Sequence, residues 1–355
     1  MLDRELLIFY SIIMKVSPPF VMRESYNDEV LALLKSVTLG SNGARYQHQR
    51  LEKRIEQVYK PLFLNLERNE KVLGNITFCR RPKNWYVRYF AFDLGMQSTV
   101  QQPRSKATNS GLKKRISGFF DSAFELEEDA PELFYAYIDP RNERSLWMSQ
   151  NFDFYTAAKI ATQSFSRIKP KSKKEVESTK VNDFIREKVK AVYGDYPFYF
   201  TKHTFNDDLF YTLTVGDEIV AFAKTHSAEW KITRLPGRNG MLLRNIIPFV
   251  PGLRKVIRPN SHIFTVVDSV WSKTGNSEDL EKLFEGILHQ EKTNTIIWWV
   301  DQKEPIYKEN KEAVNWGLLH KVNGVHEVDL VIRTKKGLPK IKYKQPTYVT
   351  GFDFI

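Results

Sequence analysis

The chain has 355 residues, 42% of them hydrophobic, with 54 Lys and Arg against 42 Asp and Glu for a formal net charge of +12. That is long enough for two domains with their own cores and too apolar for disorder, and the positive balance favours nucleotide phosphates, nucleic acid or acidic membrane as partners. Its one cysteine, Cys79, excludes an internal disulfide and a multi-cysteine zinc site, so a reducing, cytoplasmic setting is expected.

The apolar run at 6–14 is too short to span a bilayer, and no small-residue cleavage site follows it. Met14 is accordingly expected to be the true start. Residues 20–24 read as a short strand. A helix follows over 25–39, capped by Ser25, with Val30, Leu31, Leu33, Leu34 and Val37 as its apolar positions and Gly40 as its stop. A second, polar helix is expected over 45–58, ended by Pro61. Three strand-like runs come next, the first two separated by the turn 68–71, which predicts an antiparallel meander.

A polar stretch over 94–110 leads into a helix carrying Leu112, Ile116, Phe119, Phe120 and Phe124 at helical spacing. A strand over 132–138, ended by Asp139 and Pro140, then precedes the amphipathic helix of "NERSLWMSQNFDF". Around 167–174 the chain turns basic and loses large apolar residues, which reads as a solvated linker. Beyond it the order of elements repeats without the letters. There is a helix over 181–194, a hairpin around Gly216 and Asp217, a strand over 262–271, and a helix capped by Ser277. A buried strand at 295–301, a helix over 305–322 and a last strand over 325–334 complete the order. The segment 234–257 is helical in pattern but broken by Pro248 and Pro251.

Several chemistries lack their usual signals: there is no H-E-x-x-H, no paired-Cys motif, no G-x-S-x-G and no G-x-x-x-x-G-K-[ST]. The seven histidines are scattered and read as structural or surface residues. Cys79 precedes Arg80 and Arg81, whose charge could activate a thiol, although a small apolar filler in a strand explains it more simply. At the start of the helix after residue 110, backbone amides point outward, Gly111 permits close approach of a pyrophosphate, and Lys106, Lys113, Lys114 and Arg115 add positive charge.

Element order and two motifs together resemble the GNAT acyltransferase superfamily. Its pyrophosphate loop, R/Q-x-x-G-x-G/A, lies over Lys106-Ala-Thr-Asn109-Ser110-Gly111, with Lys for Arg and Asn for the first Gly. Its fourth helix commonly reads N-x-x-A-x-x-L-Y-E-K-x-G-F after a strand ending in Asp. Asn142, Ser145, Met148 and Phe154 occupy the Asn, Ala, Leu and Phe places, and Asp139 ends the preceding strand. Ser149 stands where many such enzymes have a thiolate-protonating Tyr, and Asp153 where they have Gly. In the second half Gly275, Asn310 and Ala313 fall at motif places, and Gly317 at that of the Tyr.

The resemblance implies a mixed α/β (α+β) fold of two tandem acyl-CoA N-acyltransferase-like domains, each a mostly antiparallel sheet flanked by helices. They would span 1–168 and 179–355, joined by a basic linker at 169–178, with the first the better candidate for binding CoA and the second degenerate. It implies acyl-CoA, acetyl-CoA first, as donor, no metal, and direct transfer to a small-molecule or peptide amine. The implied donor-binding residues are Phe92, Leu94, Lys106, Asn109, Ser110, Gly111, Leu112, Lys113, Asn142 and Ser145. Backbone amides around 92–94 would polarise the thioester. Ser149, Asp93 and Glu24 are the implied catalytic candidates, Ser149 acting through water and either carboxylate as base. Two alternatives are a weakly active protein that binds CoA or a metabolite, and a basic nucleic-acid or membrane-surface protein.

Overall fold

Apolar and β-branched runs bounded by turn residues build most of the chain into strands, and helices with one apolar stripe cover them. The structure is a computed structural model that describes residues 16–40, 44–93, 111–206, 209–235 and 237–355, the Arg144 side chain excepted. In chain order the first elements are β1 (Phe20–Arg23), α1 (Asp28–Ser36), β2 (Arg45–His48), α2 (Leu51–Glu56), β3 (Pro61–Arg68), β4 (Lys71–Arg80) and β5 (Asn84–Phe92). They are followed by α3 (Gly111–Ala123), β6 (Leu133–Ile138), α4 (Glu143–Asn151), β7 (Tyr155–Ser166), β8 (Val176–Lys180) and α5 (Asp183–Tyr193). Next come β9 (Leu209–Val215), β10 (Glu218–Arg234), α6 (Gly240–Ile246), a 3-10 turn (Ile247–Phe249), α7 (Leu253–Val256) and β11 (His262–Ser272). The last are α8 (Ser277–Gln290), β12 (Thr295–Asp301), α9 (Pro305–Asn310), α10 (Leu318–Asn323), β13 (His326–Thr334) and α11 (Gly351–Phe354).

The chain forms two units. Unit 1 takes the described residues of Met1–Leu39, Arg50–Ala157 and Leu330–Ile341, and unit 2 those of Gly40–Gln49, Ala158–Asp329 and Lys342–Ile355.

In unit 1, β3, β4 and β5 form the expected antiparallel meander, β1 adds to it by antiparallel pairing with β3, and β6 joins β5 in parallel. Successive residues of β3 face opposite ways. Leu62, Leu64 and Leu66 enter a core with Phe78, Phe119, Phe120 and Phe134, beneath α3. Phe63 instead meets Val30, Leu34, Leu51 and Ile55 of α1 and α2 on the other face. The late segment Leu330–Ile341 is fixed in unit 1 by Arg333, whose side chain is 1% exposed, lies over the Phe120 ring and pairs with Asp121 at 2.5 Å.

In unit 2, β10 pairs antiparallel with β9, β11 and β2, while β11 pairs in parallel with β12 and β12 antiparallel with β7. Helix α8 buries Leu280, Leu283, Phe284 and Ile287 on one face of this sheet. Gly286 makes that approach possible, since a Cβ there would come within 2.5 Å of Val176. On other parts of the sheet, α5 packs against Phe210 and Phe222, and Phe352, Phe354 and Ile355 pack against Phe264 and Val266.

Four local expectations change. Asn27, not Ser25, caps α1, its Oδ1 accepting from Val30 N at 3.0 Å, and Asn276, not Ser277, caps α8 by accepting from Asp279 N at 2.8 Å. In both cases the side chain one place before the first helical residue is the one that reaches the third amide. The polar helix expected over 45–58 is only α2. Arg45–His48 is strand β2, held by pairing with β10 and by the Tyr46 ring stacked 3.7 Å from that of Trp230. Tertiary pairing overrides a weak polar helical pattern there. The helix expected over 305–322 is two: α9 ends at Asn310 and α10 starts at Leu318, after Gly317, which has φ +88° and where a Cβ would strike the Ser166 carbonyl.

Candidate functional site

In unit 1 the parallel pairing of β5 with β6 is short. Asn84, Trp85 and Tyr86 match Leu133, Phe134 and Tyr135, and β5 then runs on to Phe92 without a further partner in β6. The break in pairing coincides with a bulge. Thr77 faces Tyr89 and Phe78 faces Val87, so Arg88 is an extra residue in β5. A bulge increases local twist and bends its strand, which turns β5 away from β6. Helix α3, on the connection between these strands, begins at Gly111, where an added Cβ would meet no described atom within 4 Å.

Of the residues expected to hold a donor, Leu94, Lys106, Asn109 and Ser110 lie outside the described residues. Gly111, Leu112 and Lys113 form the first turn of α3: Gly111 is exposed, Leu112 packs on the core, and Lys113 Nζ donates to Asn151 Oδ1 at 2.8 Å. Phe92 lies opposite Gly74, with its ring 5.3 Å from that of Phe90. The Asp93 amide donates to the Leu73 carbonyl at 2.9 Å, so by strand alternation the Phe92 amide is directed away from β4.

The residues of "NERSLWMSQNFDF" have local tasks. Asn142 caps α4 by accepting from Ser145 N at 3.3 Å, and Asp139 holds Arg141 through both carboxylate oxygens at 2.9 Å. Met148 and Phe154 pack onto the unit 1 core, and Ser145 is half-buried. Ser149 is buried, and its Oγ donates to the Leu146 carbonyl at 2.9 Å. Asp93 is exposed just after β5. Glu24 lies elsewhere in the unit and accepts from Arg80 at 2.6 Å.

Unit 2 contains a polar cluster that sequence reading missed. The parallel pairing of β11 with β12 covers only Thr265, Val266 and Val267 against Ile296, Ile297 and Trp298. It too ends beside a bulge, here containing Ser269, a non-glycine residue with φ +48°. Asp268 Oδ2 lies 2.9 Å from His226 Nε2 and accepts from Gly351 N at 2.5 Å. Ser269 Oγ donates to Asp268 Oδ1 and lies 2.9 Å from the Tyr348 hydroxyl, which is 2.6 Å from Thr204 Oγ1. Burial alone would raise the Asp268 carboxyl, but the charge and hydrogen bond of His226 and the donors Gly351 N and Ser269 hold it below the ordinary value. His226 and Asp268 are 42 residues apart and come together through the β10–β11 pairing, so no local motif announces them.

Close to the end of β12, Asp301 Oδ2 accepts from the Thr347 amide and hydroxyl at 2.8 Å. Glu304 is buried, and burial together with the nearby Asp301 charge pushes its carboxyl up to about 7 against the opposing hydrogen bond from Tyr196. The loop before α8 is closed by its own side chains and by Asn310 of α9. Ser272 Oγ accepts from Gly275 N at 3.0 Å, Thr274 Oγ1 from Asn276 N at 3.2 Å, and Asn310 Nδ2 donates to the Gly275 carbonyl at 2.7 Å. Among the described residues no three His, Cys, Asp or Glu side chains gather as metal ligands would, and no described helix is long and apolar enough to cross a membrane.

No family model and no curated protein matches the sequence. Solved structures do match in fold. A GCN5-related N-acetyltransferase from Sphaerobacter thermophilus aligns with TM-score 0.50 and 11% identity over 93% of this chain and 99% of its own. Two structures of Saccharomyces cerevisiae N-myristoyltransferase with bound myristoyl-CoA align with TM-scores 0.52 and 0.51 at 9% and 10% identity. Each covers 90% of this chain, and 84% and 80% of the respective structures. The fold is thus the expected GNAT-like arrangement, a mixed, mostly antiparallel sheet flanked by helices.

Proposed function

We propose that the protein is an acyl-CoA-dependent N-acyltransferase whose donor site lies in unit 1. The observation that carries this reading is the early divergence of β5 from β6 after the Arg88 bulge, with the described part of α3 starting at Gly111 on the connection between them. Diverging parallel strands give the geometry in which an extended, amide-bearing ligand can lie along a strand, and a helix N-terminus suits a pyrophosphate. The residues present fit acyl-CoA on that count. Likeness in fold to an N-acetyltransferase and to an N-myristoyltransferase with bound myristoyl-CoA supports a thioester donor.

When bound, the donor supplies an activated acyl carbonyl. Amides of Gly111, Leu112 and Lys113, with Lys106, Asn109 and Ser110 preceding them, hold the pyrophosphate, and the Phe92 and Leu94 amides serve the carbonyl. Asn142 and Ser145 fix the start of α4. Holding the amine and the carbonyl in one complex accelerates attack by lowering its entropic cost, worth about 7 to 11 kcal/mol in favourable systems. Asp93, exposed just after β5, takes the amine proton directly or through water. Glu24 is the second candidate base, committed to Arg80 in this structure. We extend the reading to two tandem acyltransferase-like domains, the second degenerate, and to acetyl as the first acyl group to test.

Binding of CoA without efficient transfer is a second reading, favoured by the Ser149 hydroxyl donating within its own helix. Thermal denaturation of the full chain with CoA, acetyl-CoA and longer acyl-CoAs, followed by acylation of an amine library, separates the two. Stabilisation with amine-dependent thiol release supports the transferase. Stabilisation alone supports the binder, and no shift with any CoA species overturns both.

A further inference from the structure

A second surface feature lies in unit 2, in the proline-broken segment between β10 and β11. Residues 237–258 contain five basic residues, Arg238, Arg244, Arg254, Lys255 and Arg258, and no acidic one. The segment is firmly seated from beneath. Ile247, Val256 and Ile257 are buried against Ile232, Leu235 and Leu319. Gly240 sits so close to the Leu235 carbonyl that a Cβ would overlap it, and Arg244 Nε donates to the Ile232 carbonyl at 2.7 Å.

The opposite side is uncovered. Phe249 is 83% exposed, Met241 68% and Leu242 59%, and Leu243 and Ile246 are exposed beside them. Five large apolar side chains held out from a short anchored helix and 3-10 turn go beyond the scattered exposed apolar residues usual on a soluble surface. Arg238, Arg254, Lys255 and Arg258 are also exposed, while half-buried Arg244 is held by Ile232, Asn245 and Asn260, oxygens that carry no charge to neutralise it. An apolar face flanked by unneutralised cations has the chemistry of an interfacial segment. Its apolar side chains enter the acyl boundary of a bilayer while the arginines and lysine meet anionic headgroups.

We propose that the face formed by Met241, Leu242, Leu243, Ile246 and Phe249 docks this protein onto a bilayer surface containing anionic phospholipid. Charge decides the occupant. A second copy of this chain would present the same cations against themselves, and a neutral apolar partner would leave them without counter-charge. Nothing in this surface depends on acyl transfer.

The test is co-sedimentation of the full chain with vesicles of phosphatidylcholine alone or mixed with phosphatidylserine, at low and high salt. Partition onto the phosphatidylserine vesicles is expected, weakened by salt. The double variant Leu242→Glu/Phe249→Glu is expected to lower it at least about tenfold, since it replaces two inserting side chains with anions. Arg254→Gln and Lys255→Gln are each expected to lower it by about fivefold. All these positions are exposed, so unchanged thermal denaturation of the variants checks folding. The variants keep the apolar run at residues 6–14, so their loss of binding assigns the effect to this face. Three results would overturn the proposal: no partition onto either vesicle, partition unchanged in the double variant, or self-association in sedimentation velocity that Phe249→Glu disperses while vesicles bind nothing.

Discussion

Ser149 donates its hydroxyl hydrogen to the carbonyl of Leu146, three residues back in α4, at 2.9 Å. A hydroxyl engaged in this way has lone pairs left to accept from water but no second hydrogen to give, and its acidity is far below that of a phenol. If the protein is a transferase, Ser149→Ala should change kcat/KM by less than about threefold. Loss of a true general acid would cost about a hundredfold or more. Steady-state release of free thiol measures the difference, and a hundredfold loss would make Ser149 the acid. Stability should change by no more than about 1 kcal/mol, the worth of one ordinary hydrogen bond.

Gly111 is the first described residue of α3 and a Cβ there would meet no described atom within 4 Å, so Gly111→Asp separates folding from ligand binding. A carboxylate at a helix N-terminus interacts favourably with the helix dipole, so the free protein should be unchanged or stabilised by about 0.5 kcal/mol. The same charge repels a pyrophosphate. The stabilisation of about 2.7 kcal/mol expected from CoA at a hundred times its dissociation constant should therefore disappear in the variant. A variant that keeps the full CoA-induced shift would remove α3 from the donor site.

Arg333 and Asp121 form a pair whose two halves should respond unequally. Burial lowers the Arg333 pKa from its ordinary value despite Asp121, and its Nη1 is buried without a partner. Asp121→Ala leaves that cation in the core and should cost about 2 kcal/mol, less than for a fully buried pair because Asp121 is partly exposed. Arg333→Met removes the charge, keeps an apolar stem over Phe120, and should cost no more than about 1 kcal/mol. Urea denaturation of both variants gives the comparison, and the reverse order would refute the assignment.

Glu304 gives unit 2 a pH dependence of definite sign. Its carboxyl is raised from 4.5 to about 7, chiefly by burial. Below about pH 4.5 it is protonated in the folded and unfolded chains alike. As the pH rises toward 7 the unfolded chain releases this proton first, and stability falls by roughly 3 kcal/mol before the folded carboxyl also ionises. Glu304→Gln should remove this component. Relative to the unaltered protein it should be more stable at pH 7.5 than at pH 5, as read from denaturation midpoints, and an equal difference at both values would count against the assignment.

Much of the fold is legible in the chain because its signals are local. The turn at 68–71 and the alternation through Leu62, Leu64 and Leu66 announce β3 and β4, and the spacing of Ile116, Phe119 and Phe120 announces α3. Errors fall where distant partners intervene. Residues 45–48 have a polar helical pattern yet pair with β10, and Gly317, set at φ +88° against the Ser166 carbonyl, is not helical. The candidate site divides similarly. "NERSLWMSQNFDF" is recognisable as a helix framework, but only the folded chain shows that Asn142 caps it, that Phe154 packs onto the unit 1 core, and that the Ser149 hydroxyl turns back into the helix.

Most element types, the β3–β4–β5 meander and the basic character are written in the chain, since each follows from the spacing and chemistry of near neighbours. The tertiary structure alone decided that residues 330–341 complete unit 1, that Asp268 meets His226, and that five apolar side chains at 241–249 face outward. These depend on strand pairing and on which face finds a partner, free energies that arise between residues tens to hundreds of positions apart and leave no local periodicity.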